Sequence, residues 1–234
     1  MNDATYFLIV RTIARLLWRG SLHGAENLPE AGPAVFVANH LGPQGPIAAV
    51  CSLPLRFYPW IVAEMVDKRL APDYLRIDFV EPSLRLKPPL SGAVAWALAL
   101  ITVPMLTALG CLPVNREDHA DSHEALQASL ALLRAGKIVL IYPEDPRREA
   151  DPQTKMKPFM KGFTRLGELF FAETEDRLRF YPVAVHESKK VMLDEPIFFD
   201  PHNPRGLERQ RLKDRLEGAI REMYLGMGGE SASA

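Results

Sequence analysis

The sequence predicts a single α/β domain, and two features of the chain carry this prediction. Short apolar runs rich in β-branched and aromatic residues alternate along the 234 residues with stretches of helical periodicity, which is typical of strands and helices packed in layers. No long polar linker, internal repeat or low-complexity tract divides the chain, and its length suffices for one substantial core. We therefore expect one domain over residues 21–225, preceded by a helical segment and followed by a flexible tail at 226–234.

Residues 1–20 predict an amphipathic helix. Arg11, Arg15 and Arg19 recur at every fourth position and share one helical face, while apolar side chains fill much of the rest. Two interpretations stay open: the helix lies on an anionic membrane surface with Trp18 at the interface, or it packs on its own domain with the arginines in water. A secretory signal is not expected, because the arginines interrupt the apolar stretch and no small-residue cleavage site follows.

The next elements are predicted from their apolar patterns and their end signals. Short apolar runs predict strands at residues 34–38, 55–63, 137–142, 178–185 and 191–199. A helical pattern over residues 119–135 ends at Gly136, and charged residues 204–224 predict a last helix. The runs at 34–38 and 137–142 carry no charge after Lys137, so both are expected to be buried strands.

Residues 68–89 predict an irregular segment, because Pro72, Pro82, Pro88 and Pro89 interrupt a mixed apolar pattern. A loop of this length is a lid or a wall facing a substrate in some proteins and a plain surface excursion in others. Both interpretations stay open.

Residues 90–109 are strongly apolar, and no charged residue occurs between 88 and 115. By length alone this stretch is a transmembrane candidate. Pro104 and the helix-ending Gly110 favour instead a core helix with one side facing lipid.

The overall charge gives no indication of a nucleic-acid partner. The chain has 28 Lys and Arg against 29 Asp and Glu, a formal net charge of −1, whereas nucleic-acid binding leaves a basic electrostatic footprint. We expect no nucleic acid among the partners.

A candidate catalytic residue follows the first buried strand. Residues 39–46 (NHLGPQGP) place His40 directly after the run at 34–38 and before a turn rich in Gly and Pro. A histidine in this position is held by the strand while its ring faces the space beyond the sheet, and its unperturbed pKa suits a general base near neutral pH.

Six segments together resemble the glycerolipid acyltransferase family, of the lysophosphatidate or 1-acylglycerol-3-phosphate acyltransferase type. They occur in the family's order at residues 22–29 (LHGAENLP), 39–46, 109–116 (LGCLPVNR), 141–147 (IYPEDPR), 159–162 (FMKG) and 181–185 (YPVAV). The family's first motif has Asn-His followed by four residues and an Asp, and Gly45 stands here in place of that Asp. In the third motif, Asp145 and Pro146 are also unusual.

The resemblance implies a mixed central sheet flanked by helices, with the N-terminal helix close to a membrane. It assigns residues 111–114 to a strand of this sheet, which argues against a span at 90–109, because a helix that leads at once into a soluble sheet cannot easily cross a bilayer. It implies transfer of an acyl group from acyl-CoA or acyl carrier protein to a lysophospholipid-like or other hydroxyl acceptor, without a metal or a further cofactor. The protein would then be cytoplasmic and peripheral to the inner face of a membrane, with membrane lipid as its partner. The resemblance leaves the oligomeric state open.

The resemblance also assigns roles to individual residues. His40 would be the general base, and the acceptor site would be formed by Arg116, Glu144, Arg147, Lys161 and Gly162. Guanidinium groups suit phosphate because they bind it through two hydrogen bonds and stay charged. The alternatives are surface ion pairs for the arginines, with neighbours such as Glu117 or Glu149, and close backbone packing for the glycine.

Gly45 leaves His40 without the carboxylate that would orient it, a loss that costs about four orders of magnitude in turnover in serine proteases. One hypothesis is that Asp145 supplies a carboxylate to His40 from the neighbouring strand end. The alternative is that Asp145 and Pro146 only form a turn, because both residue types favour turns. If no carboxylate serves His40, the chain is a catalytically impaired relative that binds lipid or acyl thioester.

Overall fold

The structure is a computed structural model and describes residues 2–18, 20–42, 44–114 and 119–229. The strands in these ranges are β1 (Ser21–His23), β2 (Ala34–Ala38), β3 (Phe57–Val62), β4 (Leu112–Val114), β5 (Ile138–Ile141), β6 (Arg179–Val185), β7 (Lys190–Leu193) and β8 (Ile197–Phe198). The α-helices are α1 (Asp3–Leu17), α2 (Gln44–Ser52), α3 (Ala71–Leu75), α4 (Glu81–Leu84), α5 (Leu90–Leu109), α6 (His119–Arg134), α7 (Arg165–Thr174) and α8 (Arg205–Gly229).

The chain divides into two compact units, residues 58–125 and residues 2–57 with 126–229. The larger unit contains a mostly parallel sheet in the order β1, β7, β6, β2, β5, in which only the β6 and β7 pair among these neighbours is antiparallel. The short β8 also pairs with β6, antiparallel. The predicted α/β class with a mixed sheet and flanking helices is confirmed.

β2 lies at the centre of this sheet, and its sequence explains why. All five residues of Ala34–Ala38 are buried, as expected for a parallel strand that is covered on both faces. Val37 pairs with Ile141 of β5 and with Pro182 of β6, both in parallel register. Because parallel strands run in the same direction, the segments that follow β2 and β5 emerge at the same edge of the sheet.

Helices cover both faces of the sheet. On one face Phe36 stacks on Tyr181 at 5.0 Å between ring centroids and meets the ring of Phe57 edge-on at 5.1 Å, and side chains of α2 complete this apolar cluster. On the other face the Phe180 ring lies 6.3 Å from that of Phe163, and α8 packs on β6. Since side chains alternate along a strand, the run of buried residues in β2 serves both clusters.

α1 packs on the larger unit, with its arginines in water. Asn2 caps the helix by accepting a hydrogen bond from the N–H of Thr5 at 2.9 Å, and Tyr6 and Val10 are buried while Arg11 and Arg15 are exposed. The predicted interfacial position of Trp18 is wrong: this side chain is only 7% exposed. Its indole N–H donates to the Ser52 hydroxyl at 2.7 Å, which satisfies the polar end inside the protein.

The last helix is longer than its sequence pattern indicates. α8 continues to Gly229, so the predicted flexible tail is wrong over residues 226–229. The physical reason is burial, because Met227 is 1% exposed and Tyr224 packs on the His186 ring at 4.5 Å between centroids. These contacts hold the final turn of the helix.

The smaller unit joins two parallel strands, β3 and β4, to a group of helices. The prediction of an irregular segment at 68–89 is wrong for most of its length, because α3, a π-helical turn at Arg76–Val80 and α4 follow one another without a break. Pro72 and Pro82 each lie in the first turn of an α-helix, where a missing backbone N–H costs little. Proline was therefore a helix-start signal here.

α5 also belongs to the smaller unit and has the length and the apolar composition of a membrane-spanning helix. It ends at Gly110, which has a left-handed φ of 81°, and β4 begins two residues later. The strand predicted directly after the helix is thus confirmed.

Candidate active site

His40 lies directly beyond the carboxyl end of β2, and its neighbour Asn39 fixes it there. The Asn39 side chain is 1% exposed and exchanges two hydrogen bonds with the backbone of Val185, accepting from its N–H at 2.7 Å and donating to its carbonyl at 2.9 Å. The amide thus continues the pairing of β2 with β6 by one more rung. The sequence motif contained Asn39, but its pattern did not indicate this role.

Glu144 connects the His40 turn to the segment after β5. Its Oε1 accepts a hydrogen bond from the backbone N–H of His40 at 2.7 Å, and its Oε2 accepts from the backbone N–H of Lys157 at 3.0 Å. The first and third motifs are therefore brought together as predicted. Since both carboxylate oxygens bind backbone groups, Glu144 acts in this structure as a clamp that positions His40, and its predicted contact with an acceptor stays a prediction.

The Glu144 side chain is partly buried, and this burial makes its carboxyl less acidic. Burial raises the pKa of its carboxyl above the ordinary value of 4.5, while the N–H groups of His40 and Lys157 act in the opposite direction by stabilising the carboxylate. The ring of Tyr142 completes this side of the site, lying edge-on to the His40 ring at 5.5 Å between centroids.

Gly45 lies against the backbone of His40, and no larger residue fits at this position. An ideal Cβ on Gly45 would lie 1.9 Å from the His40 carbonyl oxygen and 2.5 Å from its carbonyl carbon. Carbon atoms do not approach backbone atoms this closely, so a side chain here requires the turn to move. The backbone conformation of this turn therefore has no space for the side chain of the motif Asp.

Gln44, at the start of α2, carries a buried polar group that the sequence analysis did not identify. Its amide nitrogen Nε2 is buried and has no hydrogen-bond partner among the described residues. Buried donors are almost always paired, so an unpaired amide four residues after His40 is a candidate contact for substrate or water.

Residues 143–145 pair antiparallel with residues 158–160, and this pairing supports the position of Glu144. Asp145 N–H donates to the Pro158 carbonyl at 2.9 Å and Met160 N–H donates to the Pro143 carbonyl at 2.8 Å. Phe159 N–H donates to Oε2 of Glu217 on α8 at 3.0 Å. No local pattern indicates Glu217, because the two partners are 58 residues apart.

Charged neighbours keep Glu217 ionised. Burial alone would raise the pKa of this carboxyl, but hydrogen bonds from Lys213, the Phe159 N–H and Arg221 outweigh it and lower the pKa. Lys213 and Arg221 lie 2.9 Å and 3.0 Å from the carboxylate. A stable charge on Glu217 thus holds the segment that carries Lys157.

The Asp145 carboxylate pairs with Arg147 in the same turn. Oδ1 accepts hydrogen bonds from the backbone N–H and from Nε of Arg147, both at 3.0 Å, and Oδ2 accepts from Nη2 at 3.2 Å. The side-chain hydrogen bonds from Arg147 lower the pKa of Asp145. These contacts fit the turn interpretation, and a role of Asp145 beside His40 stays a prediction.

The remaining predicted site residues have different positions. Arg147 pairs with Asp145 rather than with Glu149, and its side chain is 79% exposed. Lys161 and Gly162 are exposed at the start of the 3-10 turn that leads into α7. A Cβ on Gly162 would meet nothing within 4 Å, so close packing does not explain this glycine. Arg116 lies outside the described residues.

The two cysteines are not suited to form an acyl-enzyme. Burial raises the pKa of the Cys51 thiol to about 11 and that of the Cys111 thiol to about 12. Since the thiolate is the nucleophilic form, both thiols are inert near neutral pH.

Comparison with known protein families found a likeness to acyltransferases. A family model described as Acyltransferase matches residues 90–186. The matched range contains Glu144, Asp145 and Lys161 but begins after the His40 turn, where the chain departs from the family's first motif. No curated protein matches the sequence.

The fold is shared with a solved member of this class. The crystal structure of the 1-acyl-sn-glycerophosphate (LPA) acyltransferase PlsC from Thermotoga maritima superposes with a TM-score of 0.55 and 15% sequence identity, covering 95% of this chain and 83% of that one. At this identity the likeness shows a shared fold, and the family model covers less than half of the chain; both agree with the resemblance of the sequence motifs.

Proposed function

We propose that the protein is an O-acyltransferase of glycerolipid metabolism that moves an acyl group from acyl-CoA or acyl carrier protein to a hydroxyl acceptor. A glycerophosphate-type acceptor such as a lysophospholipid is supported by the family model and by the acceptor named for PlsC. The reaction class belongs to phospholipid biosynthesis. The observation that carries the proposal is the fixed position of His40 at the carboxyl edge of the sheet, with its N–H clamped by Glu144.

His40 would act as the general base. It takes the proton from the acceptor hydroxyl as the oxygen forms a bond to the thioester carbonyl carbon. The resulting tetrahedral intermediate collapses by cleavage of the C–S bond, and the proton passes to the leaving thiolate. The acceptor is itself the nucleophile, so no acyl-enzyme is required.

Rigid positioning supports His40 in the absence of the motif Asp. Asn39 and Glu144 fix its backbone on two sides, and Gly45 packs against its carbonyl. Correct placement of reacting groups contributes a large part of enzymatic rate acceleration. A fixed turn therefore preserves part of the catalytic power that the orienting carboxylate supplies in the family.

Exposed cations near this edge suit an anionic acceptor. Arg147 and Lys161 follow the strands and turns that carry Glu144 and the 157–160 segment. Arg147 would exchange its pairing with Asp145 for a phosphate oxygen, and Lys161 would add a second positive charge. The buried amide of Gln44 is a further donor, for the oxyanion or for a substrate oxygen.

The test measures transfer of a labelled acyl group from acyl-CoA to lysophosphatidate and related acceptors. We expect His40→Ala to lower the rate at least about 100-fold, the contribution of a general base, and His202→Ala, which removes an exposed histidine, to leave it unchanged. Asp145→Asn separates the two interpretations of that residue, because a large loss supports a role beside His40. An active enzyme that is indifferent to His40→Ala would contradict the proposed mechanism.

The second candidate function is binding of lipid or acyl thioester without transfer. The Gly45 backbone favours it, because this turn excludes the family's carboxylate. Calorimetry with acyl-CoA distinguishes the two functions: saturable binding with no product from any acceptor would favour the binding protein.

A further inference from the structure

One side of α5 is buried and the other side is exposed. Ser91, Ala95, Ala99 and Val103 recur every four residues and are at most 5% exposed. Ala95, Ala99 and Val103 pack with the helical segment 71–84 in an apolar cluster, and the Ser91 hydroxyl donates to the Glu81 carboxylate at 3.0 Å. This side of α5 is therefore already occupied within the smaller unit.

The opposite side of α5 is apolar and exposed. Leu90, Trp96, Leu100 and Ile101 are 56%, 58%, 57% and 68% exposed, and the residues between them on this side are uncharged. The helix has a mean hydropathy of 1.9 over its most apolar window, of which only 22% is buried. A continuous exposed patch of this kind marks an interaction surface in soluble proteins.

The helical segment before α5 also exposes large apolar side chains. Leu70, Ile77 and Leu84 recur every seven residues and are 52%, 57% and 48% exposed. We call the exposed side chains of α5 together with these three leucine and isoleucine residues the apolar face.

Unpaired cations flank the apolar face. Lys68 and Arg69 precede α3, Arg85 and Lys87 lie between α4 and α5, and all four are exposed without a recorded side-chain partner in the described part of the chain. The acidic Asp73 and Glu81 are paired with Arg76. Residues 67–87 contain five Lys and Arg against four Asp and Glu, an excess of one positive charge, and the four cations named above leave Arg76 as the one that pairs with acids.

A groove in the apolar face has both apolar walls and a cation. It has a volume of ≈ 200 Å³ and is lined by Pro72, Trp96, Leu100 and other apolar side chains together with Lys68. An alkyl chain with an anionic head group matches this combination of an apolar wall and a cation.

We propose that the apolar face lies in the surface layer of an anionic bilayer and is the contact by which the protein reaches its lipid acceptor. The flanking cations match lipid phosphates, which favours lipid over a second copy of the chain or another protein. A surface position suits α5 better than a span, because its small-residue side is packed against α3 and β4 follows at once. The part concerning the acceptor rests on the proposed function.

The first experiment compares three matched substitutions in the full chain. Leu8 on α1, Ile101 on α5 and Leu207 on α8 are 67%, 68% and 68% exposed, so each can be replaced by Glu with little effect on folding. Binding is measured by co-sedimentation with phosphatidylcholine vesicles with and without phosphatidylglycerol.

We expect Ile101→Glu to weaken vesicle binding at least about tenfold, because burying one large aliphatic side chain is worth this much or more. Leu207→Glu should bind like the wild type, and Leu8→Glu should as well. If Leu8→Glu abolishes binding while Ile101→Glu does not, the N-terminal helix is the membrane contact and the proposal is wrong. Failure of the wild-type protein to bind either type of vesicle also overturns it.

The flanking charges and Trp96 provide two further readouts. Arg85→Gln combined with Lys87→Gln should weaken binding only to vesicles with phosphatidylglycerol, by about fivefold for each charge lost. The tryptophan emission should shift to the blue on addition of vesicles, and Trp96→Phe should remove the shift. A shift that persists in Trp96→Phe would contradict insertion of the apolar face.

Two controls separate this proposal from its alternatives. Light scattering tests self-association: a wild-type dimer that Ile101→Glu converts to a monomer would show that a second copy covers the face, and would overturn the proposal. Acyl transfer to a water-soluble short-chain acceptor without vesicles should be equal in the wild type and Ile101→Glu. Vesicle binding without any transfer would contradict the proposed function and leave the membrane contact supported.

Discussion

The turns after β2 and β5 meet at one edge of the sheet, yet they depart from the family's motifs for different physical reasons. In the first turn Gly45 lies so close to the His40 carbonyl that no side chain fits. In the second turn Asp145 has room for its carboxylate, which pairs with Arg147 on the exposed side. The backbone of the first turn requires glycine at position 45, whereas Asp145 in the second turn forms a local ion pair with the exposed Arg147.

The two departures from the motifs should therefore respond differently to substitution. The Gly45 position cannot be reverted alone, because the turn around it has adapted to the missing side chain. The Asp145 carboxylate can be changed at less cost, since the hydrogen bonds described for it go to Arg147 in its own turn. Glu144 connects the two turns and should respond between these extremes.

Gly45→Asp should have the largest effect, although it restores the family's residue. Its Cβ would overlap the His40 carbonyl, so we expect a loss of about 3 kcal/mol in the free energy of unfolding and loss of acyl transfer. Urea unfolding and the acyl-CoA assay measure both.

Gly162→Ala is the matched control for Gly45→Asp, because a Cβ at Gly162 meets nothing within 4 Å. It should leave stability unchanged. A stable Gly45→Asp variant with increased transfer would show that the turn accepts the motif Asp, and would remove the distinction between the two turns.

Glu144→Gln should have the next largest effect. The amide offers one oxygen where the carboxylate offers two, so the N–H of His40 or of Lys157 faces an NH2 group. We expect a loss of about 2 kcal/mol in the free energy of unfolding, with reduced transfer because His40 is less well positioned. Glu149→Gln, an exposed change in the same loop, should change neither quantity.

The pH dependence of stability tests the burial of Glu144. Because its folded-state pKa is raised above the ordinary 4.5, the folded protein binds this proton more readily than the unfolded chain. The contribution of Glu144 is therefore fully present below pH 4.5 and is lost as the pH rises through the folded-state pKa.

The unfolding free energies of the wild type and Glu144→Gln, measured from acid to neutral pH, check this sign. We expect the wild-type value to fall relative to that of the variant as the pH rises. A difference that is constant or increases with pH would show that Glu144 is not buried as the structure describes.

Asp145→Asn should have the smallest effect on stability. The Asp145 side chain is 16% exposed, but its partner Arg147 is 79% exposed, so water and salt screen the attraction and the urea midpoint should change little. Arg147→Gln should behave alike. A clear loss of stability in Asp145→Asn alone would indicate a second contact of this carboxylate inside the site.

The sequence predicted β2, β5 and α6 well, because these elements have uninterrupted patterns and clear end signals. It predicted the segment 68–89 poorly, because Pro72 and Pro82 were interpreted as breakers although each begins a helix. It left open whether Trp18 lies at a membrane surface, since the indole N–H finds its partner in Ser52, 34 residues away. Local patterns contain no information about such partners.

By itself the sequence determined the α/β class and the position of His40 after a buried strand, because these follow from local periodicity, and its motifs showed a resemblance to the acyltransferase family. Only the tertiary structure decided that Glu144 clamps His40, that Glu217 supports the clamp and that Gly45 excludes a side chain. It also decided which side of α5 is exposed. These properties arise from atoms that are distant in sequence and adjacent in space, and no spacing along the chain specifies them.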